Sequence, residues 1–190
     1  MSTSYDDAYR LSLDNPQAFW AKASQDIEWV RRPRMVLNDS DPLRPSWFPG
    51  GMLNTCFNAV DLHVLAGRGD QKALVYDSPV TNTVRSFTYH ELKDEVSRLA
   101  GALQGLGVER GDRVLLYMPM VPEAIFGMLA CARIGAIHSV VFGGFAAAEL
   151  AQRIQHEAGN PGAVLGTGIA GAFAPVAGCR FHRLVAVQDV

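Results

Sequence analysis

The sequence predicts an α/β fold, and two observations carry this prediction. Between residues 73 and 157, short apolar segments alternate with segments of helical periodicity. The connections between these segments are short, which favours crossover connections and a parallel sheet. The chain has 190 residues, of which 48% are hydrophobic and 19% are charged, so we expect a domain with a substantial hydrophobic core.

The first sixty residues are rich in aromatic residues and prolines, and they predict an extended wrap without a catalytic role. A helix is predicted over residues 15–27, because Asn15 is a favourable N-cap and Pro16 suits the first turn. Turn-forming residues cluster at 45–51, and a second helix is predicted over residues 54–65.

The next elements are a pair of strands and a helix. The strands are predicted over residues 73–77 and 85–89, on either side of a turn. Thr88 and Glu91 have the spacing of a capping box, and the apolar residues that follow recur in steps of three and four. Gly107 is expected to end this helix in the left-handed conformation.

Two almost wholly apolar segments follow, at residues 113–118 and 136–142. Segments of this kind predict strands that are covered on both faces in a parallel sheet. Between them, Pro122 and Glu123 begin a predicted helix that Gly135 ends.

The composition changes near residue 157. Gly143 and Gly144 follow the second apolar segment, and a further helix is predicted over residues 146–157. Residues 158–188 contain no Asp, Glu or Lys and are dominated by Ala, Gly and Val. This contrast marks a boundary between two domains or between two segments of different origin.

Charge and cysteine content exclude several classes of function. The net charge of -2 and the absence of any Lys or Arg run longer than Arg31 and Arg32 argue against binding to nucleic acid or an anionic membrane. The three cysteines have no metal-ligand spacing, so no metal site is expected, and they indicate reduced thiols. Without a predicted membrane span, secretory signal or transit peptide, a cytoplasmic location is expected.

Four segments of the sequence stand out together: YDDAYRLSLDNPQAFW, SWFPGGMLNTCFNAVDLH, GDQKALVYDSPVTNTVRSFTYHEL and GDRVLLYMPMVPEAIFGMLACARIGAIHSVVFGGF. In this order they resemble the acetyl- and propionyl-CoA synthetase branch of the AMP-forming, adenylate-forming enzymes. The resemblance implies the N-terminal part of the large domain of the acyl-CoA synthetase/luciferase-like fold, incomplete in this chain. It implies an acetyl-CoA-synthetase-type segment over residues 1–65 and a truncated AMP-binding domain over 66–154, with a divergent tail over 155–190.

The resemblance also implies a reaction for the full-length relative. A short-chain carboxylate, acetate or propionate, would react with ATP in the presence of Mg to give an acyl-adenylate and pyrophosphate, and CoA would then displace AMP. The ATP phosphates require a Gly-rich loop followed by Lys. The lysines here are Lys22, Lys72 and Lys93, so we assign no catalytic residue and expect the 190 residues alone to be inactive.

One site can be carried over from the family. The resemblance implies that Phe142, Gly143 and Gly144 line the nucleotide end of CoA, because glycines allow close approach and an aromatic ring can stack on adenine. The alternative is that the glycines serve only the turn after a strand. Because residues 166–178 contain no Arg where the family has one, weak binding is expected.

The tail allows a second interpretation. Gly166, Gly168 and Gly171 fit a GxGxxG pattern after a predicted strand at 163–165, and Asp189 lies at the distance expected of a dinucleotide-binding unit. The alternative is a match by composition in a Gly-rich segment. A third hypothesis is that the tail arises from a shifted reading frame, a splice variant or a mispredicted gene end.

Two functional classes therefore stay open, a fragment of a short-chain acyl-CoA synthetase and a non-catalytic truncated product or interaction module. In either case the fragment is expected to expose sheet edges and apolar faces, and to be poorly soluble or to associate with itself or with a full-length partner.

Overall fold

The structure is a computed structural model that describes residues 4–142, 162–166 and 181–186. The chain divides into two compact units, Met1–Asn54 and Thr55–Val190. Helices alternate with strands along the second unit, which confirms the predicted α/β class. The helix predicted over residues 146–157 lies outside the described residues.

The first unit is more helical than the predicted extended wrap. Its elements are α1 (Tyr5–Asp14), α2 (Pro16–Ala23), a 3-10 turn (Ser24–Asp26), β1 (Leu37–Asn38) and β2 (Ser46–Trp47). Ser4 caps α1 by accepting a hydrogen bond from the Asp7 amide, and Asn15 caps α2 by accepting one from Ala18, as its sequence position predicted. The two strands pair antiparallel.

Aromatic side chains hold the first unit together. The rings of Trp20 and Trp47 meet edge to face with centroids 6.0 Å apart, and those of Trp29 and Phe48 lie 5.6 Å apart. The Trp29 indole N–H donates to the Ser24 carbonyl at 2.9 Å. In a unit whose strands have only two residues each, these ring contacts supply packing that a larger sheet would otherwise provide.

The second unit contains a hairpin and a parallel sheet. Its elements are π-helical turns at Phe57–Asp61 and Val64–Arg68, β3 (Lys72–Ser78), β4 (Thr83–Thr88), α3 (Tyr89–Gly105), β5 (Arg113–Met118), α4 (Pro122–Ile134), β6 (Ile137–Phe142), β7 (Gly162–Gly166) and β8 (Phe181–Ala186). The β3 and β4 strands pair antiparallel. The other strands form a parallel sheet in the order β6-β5-β7-β8.

Helix α3 begins at the predicted capping box. The Thr88 hydroxyl accepts from the Glu91 amide at 3.2 Å, and the Glu91 carboxylate accepts from the Thr88 amide at 2.7 Å. Gly107 follows the helix with a φ of 85°, which confirms the left-handed ending. The buried stripe of the helix consists of Leu92, Val96, Ala100 and Leu103.

Strand β5 is the centre of the sheet, whereas β6 is less covered than predicted. Val114 and Leu116 on one face of β5 are fully buried, and Leu115 on the other face is 2% exposed, which confirms an apolar strand covered on both faces. On β6, Ile137 is 51% exposed and Val140 is 47% exposed, so the same expectation was wrong for this strand. The reason is position, because β6 has β5 as its one neighbour among the described strands.

Helix α4 packs closely on the sheet and runs back from its carboxyl edge. A Cβ atom at Gly127 would lie 3.1 Å from the Leu116 side chain, so this glycine allows the close approach of α4 to β5. Pro122 occupies the first turn and Gly135 ends the helix with a φ of 77°, as predicted. Near its last turn, Arg133 donates to both carboxylate oxygens of Asp61, at 3.2 and 2.8 Å.

The capping box makes the start of α3 sensitive to acid. Hydrogen bonds from Thr88 hold the pKa of Glu91 below its usual value of 4.5. A carboxylate whose pKa is lower in the folded than in the unfolded state stabilises the fold at pH values above its unfolded-state pKa. This stabilisation is lost as the pH falls through the folded-state pKa. We therefore predict that Glu91→Gln, which can keep the capping geometry but cannot titrate, loses less stability than the wild type below about pH 4.5.

Urea unfolding followed by circular dichroism between about pH 3 and 7 measures this difference. Asp94→Asn, an exposed substitution on the same helix, is the matched control and should follow the wild type. Identical pH profiles for Glu91→Gln and the wild type would contradict the prediction.

Candidate ligand-binding site

The carboxyl edge of the parallel sheet is the candidate site. Met118 at the end of β5 pairs with Phe142 at the end of β6, and Tyr117 of β5 pairs with Gly166 at the end of β7. In chain order, β6 is added on one side of β5 and β7 on the other. This reversal is a topological switch point, and open α/β sheets bind ligands outside the carboxyl ends of their strands at such points.

The structure places the beginning of the predicted CoA loop at this edge. Phe142 is the last residue of β6, whereas Gly143 and Gly144 lie outside the described residues. The backbone position of Phe142 agrees with a loop that starts at the switch point. The role of these three residues in CoA binding stays a prediction.

The connection from β5 to α4 forms part of the same edge. The Val121 amide donates to the Pro119 carbonyl at 2.9 Å, which turns the chain sharply after β5. Met120 at the tip of this turn is 79% exposed. The loop therefore offers an exposed methionine beside the strand ends, and such flexible apolar side chains adapt readily to a ligand surface.

Glu123 is the feature of this edge that the sequence did not reveal. It lies in the first turn of α4, where a carboxylate is favoured by the helix dipole. Its Oε2 atom is buried and no hydrogen-bond partner donates to it. Periodicity and helix-start rules explain an acid at this position, but neither rule can signal that one of its oxygens is unpaired.

The described strand ends carry no cation. The loop of residues 119–121 and the last residues of β5, β6 and β7 include neither Lys nor Arg, and Arg113 lies at the opposite end of β5. Phosphate groups bind most strongly to Arg and Lys side chains. The described part of the edge therefore offers no cation to a phosphate group.

The buried cysteines do not form a nucleophilic centre. Cys56 and Cys131 are buried free thiols, and Cys179 lies outside the described residues. Burial raises the pKa of Cys56 and raises that of Cys131 to about 12, so both thiols are protonated at neutral pH. Within the described ranges, no group of three His, Cys, Asp or Glu residues could hold a metal ion.

His63 belongs to a different cluster at the start of α3. The Arg68 guanidinium donates to His63 Nδ1 at 2.7 Å, and the His63 ring lies 4.7 Å from that of Tyr89. Because a guanidinium has only donors, Nδ1 acts as the acceptor in this contact. This arrangement stabilises the turn before β3 and does not resemble a catalytic triad.

The strand predicted at residues 163–165 is present as β7, which ends at Gly166 on the same sheet edge. Gly168, Gly171 and Asp189 of the dinucleotide pattern lie outside the described residues. The dinucleotide interpretation therefore stays a prediction. In the part of the chain that is described, no helix has both the length and the apolar character needed to cross a membrane.

Comparison with known proteins identifies the family. The family model described as AMP-binding enzyme matches residues 63–159, and the one described as acetyl-coenzyme A synthetase N-terminus matches residues 5–59.

Individual relatives agree with these matches. The human protein named "Acyl-CoA synthetase short-chain family member 3, mitochondrial" is 50% identical over 152 residues, which cover 80% of this chain and 22% of the relative. The Deinococcus radiodurans "Acetyl-coenzyme A synthetase" is 47% identical over 152 residues, covering 80% of this chain and 23% of the relative. The chain thus spans less than a quarter of the length of these relatives, and it belongs to the AMP-forming acyl-CoA synthetases, in their acetyl- and short-chain branch.

Proposed function

We propose that this chain supplies the N-terminal part of a short-chain acyl-CoA synthetase and that its loop of Phe142, Gly143 and Gly144 binds the nucleotide end of CoA. The single observation that carries the proposal is the position of Phe142, the last residue of β6, beside the switch point of a sheet from this family. The reaction of the complete enzyme would join acetate or propionate to CoA and cleave ATP to AMP and pyrophosphate, with Mg as a cofactor.

The chemistry of the loop supports CoA binding of modest strength. Two glycines without a Cβ atom let a ligand approach the backbone, and an aromatic ring can stack on adenine. The described strand ends supply no Lys or Arg to the phosphates of CoA. Stacking and backbone contacts would therefore provide most of the affinity.

We predict that CoA binds the 190-residue chain saturably and that Phe142→Ala weakens binding about 10-fold, because stacking of a base on an aromatic ring contributes ~1–3 kcal/mol. Isothermal titration with CoA measures both constants. Tyr9→Ala removes an aromatic side chain that is 54% exposed in the first unit, and this control should bind like the wild type. A wild-type chain without saturable binding would remove the loop from the functional residues.

The same chain is proposed not to catalyse adenylation on its own. The ATP phosphates need a cation beside a Gly-rich loop, and no Lys follows Lys93 in the 190 residues. We predict that neither acetate nor propionate supports exchange of labelled pyrophosphate into ATP above the blank. A full-length acetyl-coenzyme A synthetase serves as the positive control, and exchange by the 190 residues would contradict the proposal.

A second candidate function is that of a non-catalytic interaction module, which the exposed faces of the sheets favour. On the β3–β4 hairpin, Val75 pairs with Ser86 and Val84 pairs with Asp77, which places both valines on one face. Val75 is 60% exposed and Val84 is 70% exposed. Exposed valines on a two-stranded sheet are typical of a surface that associates.

We predict that the chain self-associates and that the double substitution Val75→Lys and Val84→Lys weakens this association, because two charges would have to be buried in the contact. Sedimentation velocity over a range of concentrations measures the effect. Val80→Lys adds a charge at the tip of the same hairpin, where Val80 is 93% exposed, and should leave association unchanged. A monomeric wild-type chain that unfolds cooperatively would rule out this prediction.

A further inference from the structure

Strand β6 has an open edge. The Ile137 amide donates to the Asp112 carbonyl at 2.7 Å, so the main-chain groups of Ile137 and of every second residue after it point towards β5. The main-chain groups of His138 and Val140 point the other way. Among the described strands no neighbour lies on that side, and no described backbone group bonds to His138 or Val140 from it. This edge therefore presents unpaired donors and acceptors to a further strand.

The side chains along this edge are apolar and accessible. Ile137 is 51% exposed and Val140 is 47% exposed. Because the two residues are an odd number of positions apart in a strand, they lie on opposite faces of the sheet. A strand added at this edge would therefore bury apolar surface on both faces, in addition to pairing the main chain.

Charge distinguishes β6 from the other strands at sheet edges. Edge strands of native proteins commonly carry charged residues or proline, which oppose pairing with another chain. Among the described edge strands longer than two residues, β3 contains Lys72 and Asp77, β4 contains Arg85 and β8 contains Arg183. The sequence of β6, IHSVVF, has no Lys, Arg, Asp, Glu or Pro. Of these four strands, β6 alone lacks a residue that protects an edge.

A second copy of the chain is the partner that this edge fits. A strand that pairs with β6 must itself have an open edge, and it should bring no charge into an apolar contact. The β6 strand of another chain meets both requirements, whereas β3, β4 and β8 each carry a charged side chain. We infer that two chains pair antiparallel through their β6 edges about a two-fold axis. This inference rests on the proposed self-association and deepens it, and the contact uses a sheet edge instead of the hairpin face of Val75 and Val84.

Val140→Pro tests this pairing at the main chain. Proline removes the Val140 amide hydrogen, which points away from β5, so the hydrogen bonds to β5 are kept. We expect the dissociation constant of the pair, measured by sedimentation velocity, to rise about 10-fold, because a two-fold contact loses the same hydrogen bond twice. Val140→Thr keeps the amide and the branched side chain, and this matched control should associate like the wild type. Circular dichroism verifies that both variants fold.

Hydrogen exchange of the wild-type chain gives a second readout that needs no variant. The exchange of individual amides is followed by NMR while the chain concentration rises from the monomeric to the associated range. The amides of His138 and Val140 should then exchange more slowly, because pairing with a second strand protects them. This readout decides the question if Val140→Pro does not fold.

The outcomes separate this contact from the one on the hairpin. Association of folded Val140→Pro at the wild-type strength overturns the inference, and so does association that leaves the amides of His138 and Val140 unprotected. Both results leave the proposed contact of Val75 and Val84 intact. A monomeric wild-type chain overturns the inference and the proposed self-association together.

Discussion

The burial of β5 on both faces is the constraint on which the parallel sheet and its edge depend. Val114 and Leu116 are fully buried on one face and Leu115 is 2% exposed on the other, and β5 pairs with β6 and with β7. Polar side chains at these positions would face the hydrophobic core without partners. Because the strand order brings the ends of β5, β6 and β7 to one edge, the apolar sequence of residues 113–118 also determines where the candidate site lies.

Helix α4 links the buried strand β5 to the candidate site. Its Gly127 lets the helix approach Leu116 closely, and its last turn is anchored where Arg133 meets Asp61. The side chain of Asp61 is 12% exposed and that of Arg133 is 25% exposed, so removal of one partner would leave a charge largely withdrawn from water. With its end held by this pair, α4 keeps its first turn, and Glu123 with it, at the carboxyl edge.

Local rules predicted the elements whose ends are marked by side-chain chemistry. The capping box of Thr88 and Glu91, the cap at Asn15 and the left-handed Gly135 were all read correctly, because each depends on a few neighbouring residues. The predicted helix over 54–65 is observed as helical turns that continue to Arg68 and contain π-helical geometry. That geometry depends on packing and has no signature in the sequence.

Features that depend on distant neighbours could not be predicted in the same way. The exposure of Ile137 and Val140 follows from the edge position of β6. The sequence could not predict it, because an apolar segment has the same pattern in an edge strand as in a central strand. The Asp61–Arg133 pair joins residues that are 72 positions apart in the chain. The family resemblance directed attention to Phe142, whereas the sequence could not show that one oxygen of Glu123 is buried and unpaired.

The composition of the edge also bears on how CoA would be recognised. Phosphate recognition requires cations, and the described strand ends instead carry an acidic side chain, Glu123, and an exposed apolar one, Met120. These groups supply no positive charge to a chain of phosphates. Stacking and a short-range hydrogen bond are screened little by salt, unlike long-range attraction between charges. In the proposed site, stacking on Phe142 would therefore depend little on salt, whereas recognition of the phosphates would need cations that the described strand ends do not carry.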